Sequence, residues 1–319
     1  MNYYNTSVPR ICILIGGYYP FIGGGESHAK LLAEYLEHIN VSVLVVTRRR
    51  ISKTKYFEYI GQVPVYRIPP PGLKRWGKYL MLAPALIWLI YLRNRYDIIY
   101  VCGQRVLGVI GVISAKILNK KCILRSESCG EISGEFIWNT TSINRKSLFA
   151  IFIRGFLSIR NEVIKKANCF ISISRAITEE FLINDIDSKK IVEIPNGIDI
   201  SKFKPVGRDR RAALRKKLDI PSKIIFTYTG KLNKGKGLEL TLRVWNTITT
   251  NNKNVHLLLV GSGDNQHISC ESELRAFIHA NRLEKHITIT GYVDNVNEYL
   301  QCSDYFLFPS ESEAFGISI

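Results

Sequence analysis

Thr229-Gly230-Lys231-Leu232-Asn233-Lys234-Gly235-Lys236-Gly237 is the stretch whose reading decides the fold. It follows Ile224–Tyr228, a short β-branched and aromatic run with strand character, and precedes Leu238–Thr247, which carries helical spacing. A strand, a glycine-rich cationic turn and a helix start together make an anion site. The helix N-terminus offers unpaired N–H groups and a positive dipole end, and Lys231, Lys234 and Lys236 add full charges. Taken alone, the stretch also reads as a solvated lysine-rich turn.

Gly230-x4-Gly235-Lys236 fits most of a P-loop, but Gly237 stands where the Mg²⁺-ligating Ser or Thr belongs. A P-loop also usually follows the first strand of its domain, with an acidic metal-holding strand later. An ATPase is therefore the poorer reading.

The 319 residues are 46% hydrophobic and 22% charged, which suits two globular domains of about 150 residues each. With 44 Lys+Arg against 27 Asp+Glu, the net charge of +17 implies phosphate-rich partners: nucleotide substrates, an anionic membrane surface or nucleic acid. Seven scattered cysteines, an odd number without metal-ligand spacing, argue against a disulfide frame or a zinc site. Met1–Arg10 is polar and Ile11–Ile15 too short for a signal peptide, so a cytoplasmic protein is expected. The longest apolar run, Tyr79–Leu92, is broken by Pro84 and falls short of the ~18 residues of a membrane span. It reads as a buried helix, or as an interfacial one whose flanking Lys78, Arg93 and Arg95 meet anionic head groups.

Outward from the opening stretch, strands and helices alternate along the whole chain. Arg10–Gly16 is an apolar strand leading into Gly23-Gly24-Gly25-Glu26-Ser27-His28 and a helix over Ala29–Glu37. This is a doubly wound α/β opening without the GxGxxG fingerprint. Further strands are expected at Val41–Thr47, Val63–Ile68, Asp97–Val101, Lys121–Arg125, Cys169–Ser174 and Lys190–Ile194. The polar stretch Ser126–Trp138 leaves the carboxyl end of a strand, where open α/β sheets bind ligands. It is either an acceptor-binding loop, with Ser126 and Glu127 as candidates, or a solvated one. Arg145–Lys166 is an amphipathic basic helix with either a core-packing or a membrane-facing role. Ser201–Pro221, charged and proline-bounded, reads as a linker. The expected domains are thus 1–200 and 222–319, joined by 201–221.

In the second half, Val255–Val260 ends in Gly261-Ser262-Gly263, and His286–Thr290 in Gly291-Tyr292-Val293. Tyr305–Phe308 ends in Pro309-Ser310-Glu311-Ser312-Glu313-Ala314-Phe315-Gly316. With Thr229–Gly237, four strand ends deliver Gly- or Ser-rich turns to one edge of a second sheet. That convergence is more specific than any single turn.

On these residues the chain resembles the retaining glycosyltransferases of family 4. The carriers are Gly23-Gly24-Gly25-Glu26, Pro195-Asn196-Gly197, Gly230-Lys231-Leu232, Lys236-Gly237, Gly261-Ser262-Gly263, Gly291-Tyr292-Val293 and Pro309-Ser310-x-x-Glu313-Ala314-Phe315-Gly316. The resemblance implies an α/β GT-B fold, with two Rossmann-like doubly wound domains facing across a cleft and the second incomplete. It implies transfer with retention from a UDP- or GDP-sugar to a saccharide or lipid-linked acceptor in surface polysaccharide or glycolipid synthesis. Such an enzyme needs no metal and no cofactor. It would work in the cytoplasm, with peripheral contact at the inner face of the plasma membrane and no nucleic-acid partner.

By the same resemblance, Lys231 and Lys236 hold the donor diphosphate, with Gly230 and Gly261 beside it and Gly24 and Gly25 approaching from the first domain. Glu313 is the first member of a Glu-x7-Glu pair at the donor sugar, and Ala314, Phe315 and Gly316 contact that sugar. Tyr292 and Val293 line the nucleobase pocket. Ser126, Glu127 and Asn196 are acceptor-side candidates. The second Glu of the pair would fall two residues beyond Ile319, and Arg125-Ser126-Glu127 stands where many relatives carry a His. The alternatives are a truncated, inactive fragment of such an enzyme, a nucleotide-sugar epimerase and a basic nucleic-acid-binding protein.

Overall fold

The computed structural model describes residues 8–21, 23–72, 76–135, 137, 147–263, 268–311 and 316. The chain divides into two compact units, Met1–Asn196 and Gly197–Ile319, each built on its own sheet.

The first unit carries strands β1 (Ile11–Ile15), β2 (Val43–Arg48), β3 (Phe57–Ile60), β4 (Val63–Ile68), β5 (Ile98–Cys102), β6 (Lys121–Arg125), β7 (Cys169–Ser172) and β8 (Ile191–Glu193). Their order is β3-β4-β2-β1-β5-β6-β7-β8, parallel throughout except for the β3–β4 hairpin. The central strands read as unbroken apolar runs because both faces are covered; all six residues of β2 are buried. Helices α1 (Gly24–His38), α2 (Gly77–Leu80), α3 (Leu82–Tyr91), α4 (Gln104–Ile117), α5 (Leu148–Ile164) and α6 (Arg175–Ile183) make the crossovers. From β1 the chain steps to β2 on one side and later to β5 on the other. Right-handed crossovers then put α1 on one face of the sheet and α3, α4 and α5 on the opposite face. The reversal between β1 and β5 is a topological switch point, where open sheets leave a crevice at the strands' carboxyl ends.

Two details differ from the sequence reading. The hairpin strand β3 was not expected; it turns into β4 through Gly61, which takes a φ of +60°. The apolar run Tyr79–Leu92 is two helices, with Pro84 tolerated in the first turn of α3. Arg48 and Arg49 spend their guanidinium groups on backbone carbonyls: Pro70 (3.0 Å) and Gly72 (2.5 Å) for Arg48, Thr54 (2.8 Å) for Arg49.

The second unit has β9 (Ile224–Thr229), β10 (Val255–Val260), β11 (Ile287–Gly291) and β12 (Tyr305–Phe306), ordered β11-β10-β9-β12 and all parallel. Its helices are α7 (Arg208–Lys217), α8 (Leu238–Asn251), α9 (Glu271–Ala280) and α10 (Val296–Cys302). One core packs Tyr228, Leu232, Leu242, Trp245 and Leu257 under α8 and α9, and a second packs Leu214, Ile225, Leu258 and Cys302 under α7 and α10. The stretch 201–221, read as a linker, thus contains a helix of this unit. Arg211 (2.9 Å) and Arg215 (2.8 Å) on α7 pair with Asp304, which also accepts the Ile225 N–H at 2.8 Å. Strand order reverses at β9, so the second switch point falls at the exit of β9, on the 229–237 turn.

Among the described residues no helix is long and apolar enough to cross a membrane.

Candidate functional site

In the second unit the exit of β9 is stitched to the exit of β10. The Gly230 N–H donates to the Val260 carbonyl at 3.0 Å and the Leu232 N–H to the Ser262 carbonyl at 3.1 Å. Gly230 and Gly261 both hold a φ of +146°. A Cβ built on Gly261 would fall on the Gly230 carbonyl oxygen, so only glycine lets the two exits close. Tyr228 donates its hydroxyl to the Lys231 carbonyl at 3.0 Å. The fully buried Leu232 anchors the turn, while Lys231 and Lys236 stay half-buried on its surface.

The other two exits join the same shelf. Gly261 bridges Gly291 and donates its N–H to Thr290 Oγ1 at 3.3 Å. From β12, Pro309 brings its carbonyl where a side chain on Gly237 would go, and the Glu311 N–H donates to the Gly235 carbonyl at 3.1 Å. Gly237 caps α8 in the left-handed conformation, φ +68°. The three lysines separate. Lys234 turns outward to Glu273 at 3.9 Å and lines a cavity of about 350 Å³ with Asn233, Arg243 and Glu311; Lys231 and Lys236 do not line it. Tyr292 is exposed and donates its hydroxyl to Asp294 at 2.6 Å, whereas Val293 packs into the core under α7 and α10. Gly316 is half-buried with a φ of +74°. Glu313, Ala314 and Phe315 lie outside the described residues.

In the first unit a carboxylate occupies the switch point between β1 and β5. Glu127 lies so close against Gly25, in the first turn of α1, that a Cβ there would fall on its carboxyl group. It also borders Gly103, the left-handed residue (φ +78°) between β5 and α4. Arg125 ends β6 with an almost wholly buried guanidinium, 3.5 Å from Glu127 Oε1, and donates to Asn196 Oδ1. Behind them the buried Glu131 accepts from the Gln104 N–H at 2.9 Å and the Ser128 hydroxyl at 3.2 Å, and pairs with Arg105 at 3.5 Å.

These neighbours set the electrostatics. Burial pushes the Glu127 carboxyl up, the Glu131 charge adds to this and Arg125 opposes it; the outcome is about 7. A carboxyl so placed exchanges protons near neutrality. Burial, and then the Arg125 charge, push His28 down to about 4, so it is neutral at pH 7. The Nε2 of His28 and the Nδ2 of Asn196 are buried without a hydrogen-bond partner among the described residues. Ser126, read from sequence as an acceptor contact, is buried and takes a hydrogen bond from the Gln104 side chain. Arg125, His28 and Glu131 were missed as site residues. The one available signal was Arg125, a charge at the carboxyl end of a short strand next to Ser126 and Glu127.

Residues 22–202 match the family described as Glycosyltransferase Family 4, and residues 223–319 match Glycosyl transferases group 1. The chain belongs to glycosyltransferase family 4. The chain is 22% identical over 313 residues to the phosphatidylinositol N-acetylglucosaminyltransferase GPI3 subunit of Saccharomyces cerevisiae. The match covers 96% of this chain and 64% of the yeast protein, so the chain spans under two thirds of that relative's length. An uncharacterized glycosyltransferase of Methanocaldococcus jannaschii is 26% identical over 303 residues, covering 89% of this chain and 70% of that one.

Among solved structures, Anabaena HepE in complex with UDP and glucose superposes with a TM-score of 0.72 at 19% identity, covering 98% of this chain and 77% of that one. Sucrose-phosphate synthase from Thermosynechococcus elongatus gives 0.74 at 20% identity, covering 97% and 77%. The fold is that of the GT-B glycosyltransferases, a mixed eight-stranded sheet in one unit and a parallel sheet in the other. The glycine turn at 230–237 therefore belongs to a glycosyltransferase-family domain and not to a P-loop fold.

Proposed function

We propose that the chain transfers a sugar, with retention at the anomeric carbon, from a UDP- or GDP-linked donor to a saccharide or lipid-linked acceptor in surface polysaccharide or glycolipid assembly. The observation that carries this reading is the coincidence of the second unit's switch point with the Gly230–Gly237 turn. Cleavage of the donor's glycosidic bond leaves negative charge on the diphosphate. The Lys231 and Lys236 ammonium groups and the free N–H groups at the start of α8 stabilise that charge, without a metal. Gly230 and Gly261 keep the shelf free of side chains, so that phosphate oxygens reach the backbone.

We assign Tyr292 to the nucleobase, and Glu313, Ala314, Phe315 and Gly316 to the donor sugar. The acceptor binds the first unit, where Glu127 and Asn196 offer hydrogen bonds to its hydroxyls and Ser126 holds the loop through Gln104. The UDP and glucose bound to HepE support a UDP-sugar. The likeness to WaaG, a glycosyltransferase involved in lipopolysaccharide biosynthesis, and to an O-antigen biosynthesis glycosyltransferase of Escherichia coli supports a surface-glycan acceptor at the cytoplasmic side of a membrane.

The test is calorimetric titration of the purified chain with UDP, GDP and ADP. One nucleotide should bind, and Lys236→Ala should weaken it strongly. If no nucleotide binds, or if the variant binds like the parent, the assignment of the diphosphate site is wrong.

A further inference from the structure

Three side chains converge on Gly17, just past the exit of β1. A Cβ built there would meet Arg50 Cδ at 3.0 Å, the Phe21 ring at 3.1 Å and Glu26 Oε1 at 3.2 Å. Arg50 follows β2, the strand paired parallel with β1, so its side chain stands at the carboxyl ends of both, beside the first unit's switch point. Its guanidinium lies over the Phe21 ring, 3.6 Å from the ring centre. Arg48 and Arg49 of the same run are tied to backbone carbonyls. Arg50 is not. Among the described residues its guanidinium donates no hydrogen bond, its Nε is buried without a partner, and the carboxylate it faces, Glu26, stays 3.9 Å away.

A guanidinium so placed lacks the hydrogen bonds that a part-buried cation normally requires. Burial lowers its pKa, and Glu26 offsets this only in part. The Arg50 charge also reaches the buried Arg48, so two cations stand against one carboxylate. Contact with the Phe21 face occupies one side of the guanidinium and leaves its N–H edge, the fork that matches an oxyanion, to be filled. The same crevice holds Glu127. Glu26 adjoins Gly25, against which Glu127 lies, and the Glu26 charge helps to raise the Glu127 carboxyl. Arg50 thus borders the crevice from the β2 side and Glu127 from the β6 side, with the start of α1 between them.

We propose that Arg50 reads a phosphate ester on the acceptor, its N–H edge binding the phosphate while Glu127 accepts a hydrogen bond from a sugar or polyol hydroxyl of the same molecule. The acceptor class is then a phosphorylated saccharide or polyol, free or at the head of a lipid. Arg50 selects that acceptor and takes no part in bond making. The chain's net charge of +17 suits an anionic substrate. The inference rests on the acceptor side of the function proposed above, but its test uses no nucleotide, so that the donor reading and this one can fail separately.

The experiment is calorimetric titration of the purified full chain with glucose 6-phosphate and with dihexanoyl phosphatidylglycerol, a soluble short-chain lipid, with glucose as the neutral control. At least one phosphate ester should bind, and glucose should bind about tenfold or more weakly. Arg50→Gln should weaken the ester by about tenfold or more, the scale of losing a charge-assisted hydrogen bond. Arg50→Lys keeps the charge but not the planar fork and should fall between the two. Lys236→Ala, on the turn of the second unit, should bind the ester like the parent. Tighter glucose 6-phosphate identifies a free phosphosugar, and tighter phosphatidylglycerol a lipid head; either satisfies the proposal. Denaturant unfolding checks that each variant is folded, and Arg50→Lys carries the comparison if Arg50→Gln is not. The proposal is overturned if neither ester binds, or if both Arg50 variants bind it like the parent. It is also overturned if binding is lost in Lys236→Ala, because the ester would then sit on the glycine turn, or if glucuronate binds as tightly as the esters, because a carboxylate would then serve.

Discussion

The carbonyl oxygen of Gly230 occupies the space that a Cβ on Gly261 would need, and both residues hold a backbone conformation that other residues rarely adopt. Two parallel strand exits are thereby pressed backbone to backbone. Gly261→Ala must move one of them and strain its own φ, at a cost of about 2–4 kcal/mol. Denaturant unfolding should show this loss, with weaker nucleotide binding in the molecules that remain folded. An unchanged unfolding midpoint would contradict the close approach.

Charge at the turn is expected to act through two of its three lysines. Lys236→Ala should lower turnover by about 10²-fold or more, the scale of removing one group that stabilises charge in the transition state. Lys234→Ala, whose ammonium points to Glu273, should stay near the parent rate. Steady-state transfer assays with both variants separate a diphosphate clamp from a generally basic turn, which would respond equally to either loss.

Glu127 gives the first unit a definite dependence on pH. Its carboxyl is raised to about 7 in the folded chain, so folding favours the protonated form. The stability this contributes is present below the unfolded carboxyl value of about 4.3 and is lost as pH rises through about 7. Glu127→Gln removes the loss. It should be more stable than the parent at pH 8 by about 1–3 kcal/mol, with the difference vanishing near pH 4. His28 titrates in the opposite sense but is present in both proteins, so it largely cancels in the comparison. Parallel unfolding curves for parent and variant across that range would show that Glu127 is not buried against Gly25 as described.

Asp304 tests whether α7 belongs to the second unit. Burial pushes its carboxyl up, but the Ile225 N–H and the Arg215 and Arg211 guanidinium groups outweigh this and hold it below the usual range. Asp304→Ala leaves the β9 N–H and two arginines without their shared acceptor and should cost about 2–4 kcal/mol. Chemical denaturation measures this directly, and hydrogen exchange should show α7 and the start of β9 opening together. Independent exchange of α7 would return it to the role of a linker.

The elements legible in the sequence were those whose signal is local. β10 is an apolar run, broken only by His256 and buried at every residue, because a strand covered on both faces needs no alternation, whereas the edge strand β11 alternates Ile and Thr before its glycine. Where the signal depends on partners distant in sequence, it was lost. Arg125 and Asn196 are 71 residues apart, and only the sheet order joins them. Ser126 looked available because its partner Gln104 lies 22 residues earlier in the chain, at the first residue of α4, and only the pairing of β5 with β6 brings the two together. β3 pairs antiparallel at a sheet edge with alternate residues exposed, a pattern too short to stand out. Charge dominates the sequence of α7, whose contribution to the core is the single buried residue Leu214.

The reversal of strand order at β9 also fixes a timetable. β9, its turn and α8 are synthesised well before Tyr305–Pro309, yet β12 must pair with β9 and Pro309 must close on Gly237 before the shelf is whole. Until then one edge of β9 is an open template for any passing strand. A growing chain therefore holds Lys231 and Lys236 before the proposed phosphate seat is finished, and the shelf can take a ligand only once β12 has paired.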